Sequence, residues 1–278
     1  MAGHFSQAAV DCPMSDSPAH HHNRRAWDRM VRQKQRFTQP APDGDFVDPL
    51  AKLDAIGWLG GDIRGRTLLC LAAGGGKHGA LYAAAGASVT VVDLSPGMLE
   101  LDRAVAAERK LQVRTVEASM DNLFMLSDEE FEFVIHPVST CYVPDLQPVY
   151  REVARVIRAG GLYISQHKQP ASLQADVRPS QHGYELLEPY YRSGPLPEVV
   201  GSPHREESTW EFLHRWEQLV GGMCRAGFVI EDLVEPLHAE PDAPMGSFAH
   251  RSQYVSPYVR IKARRPADRN QGRRVWTP

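Results

Sequence analysis

Between Thr67 and Asp93 the chain reads TLLCLAAGGGKHGALYAAAGASVTVVD. Within it, Gly74-Gly75-Gly76-Lys77-His78-Gly79 is a literal G-x-G-x-x-G, and Asp93 follows about 20 residues later. Glycines in such a turn let the backbone pass close to a ligand. An acid at the end of the next strand accepts hydrogen bonds from a ribose diol. The spacing therefore suits an adenosine-bearing cofactor. Asp93 alone does not tell a nicotinamide dinucleotide from another adenosine cofactor, so hydride transfer stands as one reading at this point.

Other chemistry-bearing residues lie farther on. His136 ends one apolar run and His167-Lys168 ends another. Imidazoles titrate near neutrality, so His136 and His167 are candidate general bases, with a hydrogen-bonded structural histidine as the alternative for each. Tyr142 is a candidate pocket wall. Cys141 carries no signal of a paired base. His20-His21-His22 are adjacent and cannot converge on one ion unaided, so they read as part of a mobile tail. His238, Glu240, Asp242 and His250 show no diagnostic ligand spacing, and no metal is expected.

These groups need elements to hold them. Thr67–Leu71 is a buried strand, and a small-residue helix follows Gly76. A second strand, Ser88–Val92, ends at Asp93. Ser95 then caps a helix with Pro96 at its first position, running to about Lys110. Strands are expected at 112–116, 131–136 and 162–166, with an Asp145-capped helix before Gly160-Gly161. Ahead of this core, a helix from Asn23 would place Trp27, Met30 and Val31 on one side. A second helix is expected over 46–59. Behind it, residues 171–207 carry five prolines and three tyrosines, too long for an ordinary connection and suited to a lid. Ser208-Thr209-Trp210-Glu211 reads as a capping box opening a helix, followed by strands at 228–234 and 258–263. The alternation of strand and helix predicts a doubly wound α/β sheet with ligands outside the carboxyl ends of its strands.

Composition narrows the classes. The 278 residues carry a net charge of -3, which gives no general attraction to nucleic acid or anionic membrane. The arginines of the tail, Arg265, Arg269, Arg273 and Arg274, read as a solvated terminus. No apolar run approaches the ~18 residues of a membrane span. The start lacks the pattern of a signal peptide. Cys12, Cys70, Cys141 and Cys224 are scattered, as expected of reduced thiols in a cytoplasmic protein.

Three later stretches bear on the cofactor: Asp93-Leu94-Ser95-Pro96-Gly97-Met98-Leu99, Ser119-Met120-Asp121-Asn122-Leu123, and Tyr150 to Leu162, YREVARVIRAGGL. With the glycine turn, they resemble the class I S-adenosylmethionine-dependent methyltransferases, particularly the broad group that includes the ubiquinone and menaquinone biosynthesis type. The likeness spans roughly residues 65 to 168.

The resemblance implies a Rossmann-like seven-stranded sheet of order 3-2-1-4-5-7-6 with strand 7 antiparallel. It implies S-adenosylmethionine as cofactor and a small-molecule acceptor, with methyl transfer in line. The first family motif falls on Cys70 to Gly76: Gly74 and Gly76 match, while Cys70 replaces the usual acid and Ala72 the first glycine. Cofactor contacts are implied at Ala72, Ala73, Gly74 and Gly76, and at His78, which could rebuild the missing contact. Further contacts are implied at Asp93 for the ribose, at Leu94 and Met98, and at Met120 and Asp121 for the adenine. His136 is a further contact or a base. The organisation expected is a disordered tail (1–22), a helical cap (23–62), a cofactor-binding core (63–170), a lid (171–207), a completing segment (208–265) and a tail (266–278). A non-catalytic adenosine-binding protein is the second reading, and a nicotinamide-dependent oxidoreductase the third.

Overall fold

The structure is a computed structural model and describes residues 17–267. Seven strands form one sheet in the order β3-β2-β1-β4-β5-β7-β6. The strands are β1 (Thr67–Leu71), β2 (Ser88–Asp93), β3 (Val113–Glu117), β4 (Phe131–His136), β5 (Ile157–Lys168), β6 (Val229–Val234) and β7 (Tyr258–Arg264). The first five run parallel, and β7 is antiparallel to both β5 and β6. Leu68, Leu69, Cys70 and Leu71 are fully buried because helices cover both faces of the central strand. One face holds Val149, Val153 and Val156 of α5 (Gln147–Val156) with Leu219 and Met223 of α7 (Trp216–Arg225). The other holds Tyr82 of α3 (His78–Ala84) and Leu99 of α4 (Pro96–Arg109).

Ser95 caps α4 through a hydrogen bond that its hydroxyl accepts from the Met98 amide. Several other boundaries depart from the sequence reading, each for a local reason. Helix α1 spans Pro18–Arg32, so His20-His21-His22 are helical and His20 is buried. Residues 1–16 of the expected tail lie outside the described residues, as do Arg269, Arg273 and Arg274. Arg265 is tied down rather than frayed: its amide donates to the Gly161 carbonyl and its guanidinium pairs with Glu129. The helix expected over 46–59 shortens to α2 (Pro49–Leu53), capped by Asp48. Asp54 ends it, because its carboxylate takes the amides of Trp58 and Leu59 that a continuing helix would have used.

α5 stops at Val156, before the two glycines, because Ile157 adopts extended backbone and pairs with Phe131. The capping box at 208–211 does not open a helix. Ser208 sits at φ +61, Glu211 is drawn into a buried ion cluster, and α7 starts at Trp216, where the Arg215 amide donates to Gln218 Oε1. Two short helices not foreseen, α6 (Pro170–Gln174) and α8 (Phe248–Arg251), are joined by the buried Arg251. Its guanidinium donates to the Ser172, Ala175 and Asp176 carbonyls and to the Ser172 hydroxyl. Among the described residues, no helix is long and apolar enough to cross a membrane.

Candidate active site

A cavity of about 420 Å³ lies beyond the carboxyl ends of the central strands, beneath α1. Its first wall is the turn after β1. Ala72 takes φ +48 and Gly75 φ +114, so the chain doubles back sharply with its amides turned toward β2 and α4. The Gly74 amide donates to Asp93 Oδ2 and the Ser95 amide to Asp93 Oδ1, both at 2.9 Å. Burial pushes the Asp93 carboxyl up to about 6 against those hydrogen bonds. A Cβ on Gly74 would lie 2.9 Å from Asp93 Oδ2 and 2.8 Å from Met98 Cβ, so only glycine leaves this cradle open.

The turn has a second support. Asp102 of α4 is buried and its Oδ2 accepts the Gly75 amide at 2.9 Å, while burial pushes its carboxyl up to about 7. Cys70 stands where the motif usually carries an acid. It is fully buried, and burial with the Asp102 charge holds its thiol protonated, so it offers no charge to a ligand.

The opposite wall is polar. Tyr142 donates its hydroxyl to Glu206 Oε2 at 2.8 Å, and the Lys168 ammonium donates to the same oxygen at 2.7 Å. Lys168 also donates to Glu211 Oε1 at 2.7 Å, and Arg205 to Glu211 Oε2 at 2.9 Å. Two cations thus hold two carboxylates, and of the four Glu206 is on the cavity wall. The Lys168 charge holds Glu206 well below the usual carboxylate range despite burial. Nearby, Arg260 of β7 also lines the cavity, its Nε donating to Gln166 Oε1 at 2.6 Å.

The roof is α1. His20, Asn23 and Trp27 face the cavity, and Asp28 accepts from the Ser95 hydroxyl at 2.6 Å, joining α1 to the start of α4. His22 stacks on Trp210 with ring centroids 4.5 Å apart.

Comparison with known proteins settles the family. The methyltransferase domain family matches residues 69–165. The uncharacterized methyltransferase YbaJ of Bacillus subtilis is 33% identical over an alignment of 229 positions that covers 77% of this chain and 89% of that protein. The chain is a class I S-adenosylmethionine-dependent methyltransferase. The ubiquinone biosynthesis O-methyltransferase of Alkalilimnicola ehrlichii is 26% identical over 51% of this chain and 58% of its own length. An S-adenosylmethionine-dependent methyltransferase from Mesorhizobium loti shares the fold, with a TM-score of 0.60 at 21% identity, covering 77% of this chain and 98% of that one. The glycine turn read alone allowed hydride transfer; membership of the methyltransferases assigns it to methyl transfer.

The predicted residues of the methyltransferase fall into two groups. Ala72, Ala73, Gly74 and His78 line the cavity, as do Asp93, Leu94, Met98 and Met120, and Tyr142 stands across from them. Gly76 does not line it. A Cβ there would meet Val105 Cγ2 at 2.8 Å and the Leu101 carbonyl at 2.9 Å, so it is a packing glycine against α4. Asp121 lies off the cavity, its carboxylate 3.1 Å from the His20 imidazole on the roof. His136 and His167 are buried away from the cavity wall. His136 Nδ1 is 2.8 Å from the Tyr163 hydroxyl, and His167 sits between the Thr140 and Ser165 hydroxyls at 2.8 Å each. Burial takes His136 down to about 3 and His167 well below the usual imidazole range, so both are neutral. His78 is taken down to about 4, by burial first and then by Lys77 and Arg260. Among the described residues, no three or more His, Cys, Asp or Glu are grouped to hold a metal ion.

Sequence reasoning missed Glu206 and Arg260. Glu206 stands in a stretch marked only by prolines and tyrosines, and Arg260 in a strand whose period-two alternation marks it as solvent-facing. A usable signal lay in the Glu206–Glu211 run, where acids recur beside Arg205 just ahead of a helix.

Proposed function

We propose that this methyltransferase binds S-adenosylmethionine along the glycine turn and transfers its methyl group in line to a small-molecule acceptor held between Tyr142, Glu206 and Trp27. The Gly74–Asp93 cradle carries this reading. Its carboxylate is fixed by two backbone amides, faces the cavity, and is left open by the one residue without a Cβ. That arrangement fits a ribose diol, which needs two acceptors in a fixed position. Met98 and Met120 supply thioether faces for an adenine ring, and Ser119 beside them supplies a polar edge. Lys77 and Arg260, which line the cavity with His78, suit the carboxylate of the methionyl end. Asp102 takes over support of the turn where Cys70 has replaced the motif acid.

When bound, the cofactor supplies a methyl carbon already activated by its sulfonium. The chain's residues therefore bind, align and exclude water rather than generate a leaving group. Lying beneath α1, with Glu206 arriving from the 171–207 segment, the cavity is suited to a small acceptor rather than a polymer; we read that segment as the acceptor-side lid. Neutral, hydrogen-bonded His136 and His167 serve better as supports of the β4 and β5 ends than as bases.

Calorimetry with S-adenosylmethionine, S-adenosylhomocysteine and NADH tests the reading. Binding of the first two without the third is expected; binding of none, or of NADH alone, sinks it.

A further inference from the structure

The acceptor end of the cavity has a chemistry of its own. Glu206 is the wall member of a cluster in which Lys168 and Tyr142 both donate to its Oε2, at 2.7 and 2.8 Å. The balancing cations do not line the cavity: Lys168 bridges Glu206 Oε2 and Glu211 Oε1, and Arg205 meets Glu211. Around Glu206 the cavity is aromatic. Trp27 packs edge-on against Tyr142 with centroids 5.6 Å apart, and Tyr258 lines the same space. The cationic residues of the cavity, Lys77 and Arg260, are accounted for by the methionyl carboxylate in the reading above.

We propose that the acceptor is an amine, its nitrogen seated against Glu206 between the faces of Trp27, Tyr142 and Tyr258. This rests on the cofactor placement just described and names the acceptor for that same site. Aromatic faces with one carboxylate are the environment that favours a cationic nitrogen over a neutral oxygen of the same size. The direction of charge flow agrees. A hydroxyl acceptor needs a base, and a carboxylate pinned by an ammonium and a phenol is a poor one. An amine seats as its ammonium and first gives one proton to water; the neutral amine then needs no base in the transfer itself. Its neutral form donates an N–H to Glu206 and turns its lone pair to the methyl carbon. That lone pair forms the N–C bond, the C–S bonding pair stays on sulfur, and the positive charge moves from sulfur to nitrogen. It arrives beside a fixed anion, which is stabilisation placed where charge develops. The methylated ammonium then releases a proton to water.

The test uses the full-length protein saturated with S-adenosylhomocysteine and three probes of matched shape: benzylamine, benzyl alcohol and benzoate. Calorimetry at pH 7.5 is expected to show benzylamine binding roughly tenfold tighter than either of the others. Glu206→Gln, verified by unchanged homocysteine-product affinity, is expected to bring benzylamine and benzyl alcohol to parity. Benzyl alcohol or benzoate binding as tightly as benzylamine in the wild-type chain overturns the proposal, as does no benzylamine binding at millimolar concentration. The wild-type comparison stands even if the variant does not fold. Failure of S-adenosylhomocysteine itself to bind would instead sink the cofactor placement, so the two failures are distinct.

Discussion

Asn23 and Trp210, 187 positions apart, pair as two strand residues would. The Asn23 amide nitrogen donates to the Trp210 carbonyl at 3.0 Å, and its oxygen accepts the Trp210 amide at 2.8 Å. The same nitrogen also donates to the Tyr142 carbonyl at 3.0 Å. One side chain therefore fastens the roof of the cavity to the segment that delivers Glu206 and to the loop after β4. Asn23→Ala removes all three bonds and is expected to cost roughly 2–3 kcal/mol. Limited proteolysis should then cut the chain between α1 and α2, with S-adenosylhomocysteine slowing the cut. A variant as resistant as the parent would show that α1 is held by other contacts.

Asp93→Ala is expected to weaken S-adenosylhomocysteine binding by more than an order of magnitude, since two hydroxyl partners are lost. In the parent chain the affinity should fall as pH drops through about 6, where the Asp93 carboxylate takes up its proton. Calorimetry across pH 5 to 8 reads both, and a flat profile contradicts the ribose assignment.

Gly74→Ala places a methyl group 2.8 Å from Met98 Cβ and 2.9 Å from Asp93 Oδ2. The neighbours cannot both yield, because Asp93 is fixed by two amides. Loss of detectable cofactor binding is expected, with a fall in stability of roughly 1–3 kcal/mol by urea unfolding.

Asp102 titrates in the folded chain at about 7, well above its unfolded value near 3.9. Between those values the native state holds a proton that the unfolded state has released. Its contribution to stability is therefore complete below about pH 4 and disappears as pH rises through about 7. In urea unfolding of the cofactor-free protein, the stability of the parent relative to Asp102→Asn should follow this slope; the neutral buried His136, His167 and His78 add an opposite slope common to both chains. An Asn oxygen still accepts the Gly75 amide, so the turn is retained.

Lys168→Met strips the shared cation from the fully buried Glu211 and from Glu206 on the cavity wall. Breaking a buried pair from one side costs about 3–5 kcal/mol, so a large fall in thermal midpoint is expected. By contrast, His136→Gln should leave the pH profile of methyl transfer unchanged while lowering stability. A lost titration in that profile would restore His136 as a base.

The sheet was legible because its signals are local. Apolar runs of five or six residues, the glycine turn, and Ser95-Pro96 at the head of α4 each carry their own instruction. The cofactor half of the cavity follows from those same residues. Two kinds of feature were not legible. The end of α2 at Leu53 and the start of α7 at Trp216 are set by a side chain competing for backbone groups, as with Asp54, or by a distant ion, as with Glu211. The proposed acceptor half depends on Tyr142, Lys168 and Glu206, which come from three separate stretches and meet only once the chain has folded. His136 and His167 carry the right functional group, and only the packed structure shows them locked by Tyr163, Thr140 and Ser165.

The Lys168 cluster has a consequence for inheritance. The ammonium stands at the end of a sheet strand and both of its anions come from residues 206 to 211, so all three lie beyond the stretch, 69–165, that matches the family. A descendant that exchanged the loop for another would strand a buried charge unless the new loop brought two acids, or the lysine changed with it. Lys168, Glu206 and Glu211 should therefore vary together among relatives of this chain. A relative that kept the lysine and lost both acids would have to hold its acceptor by different means.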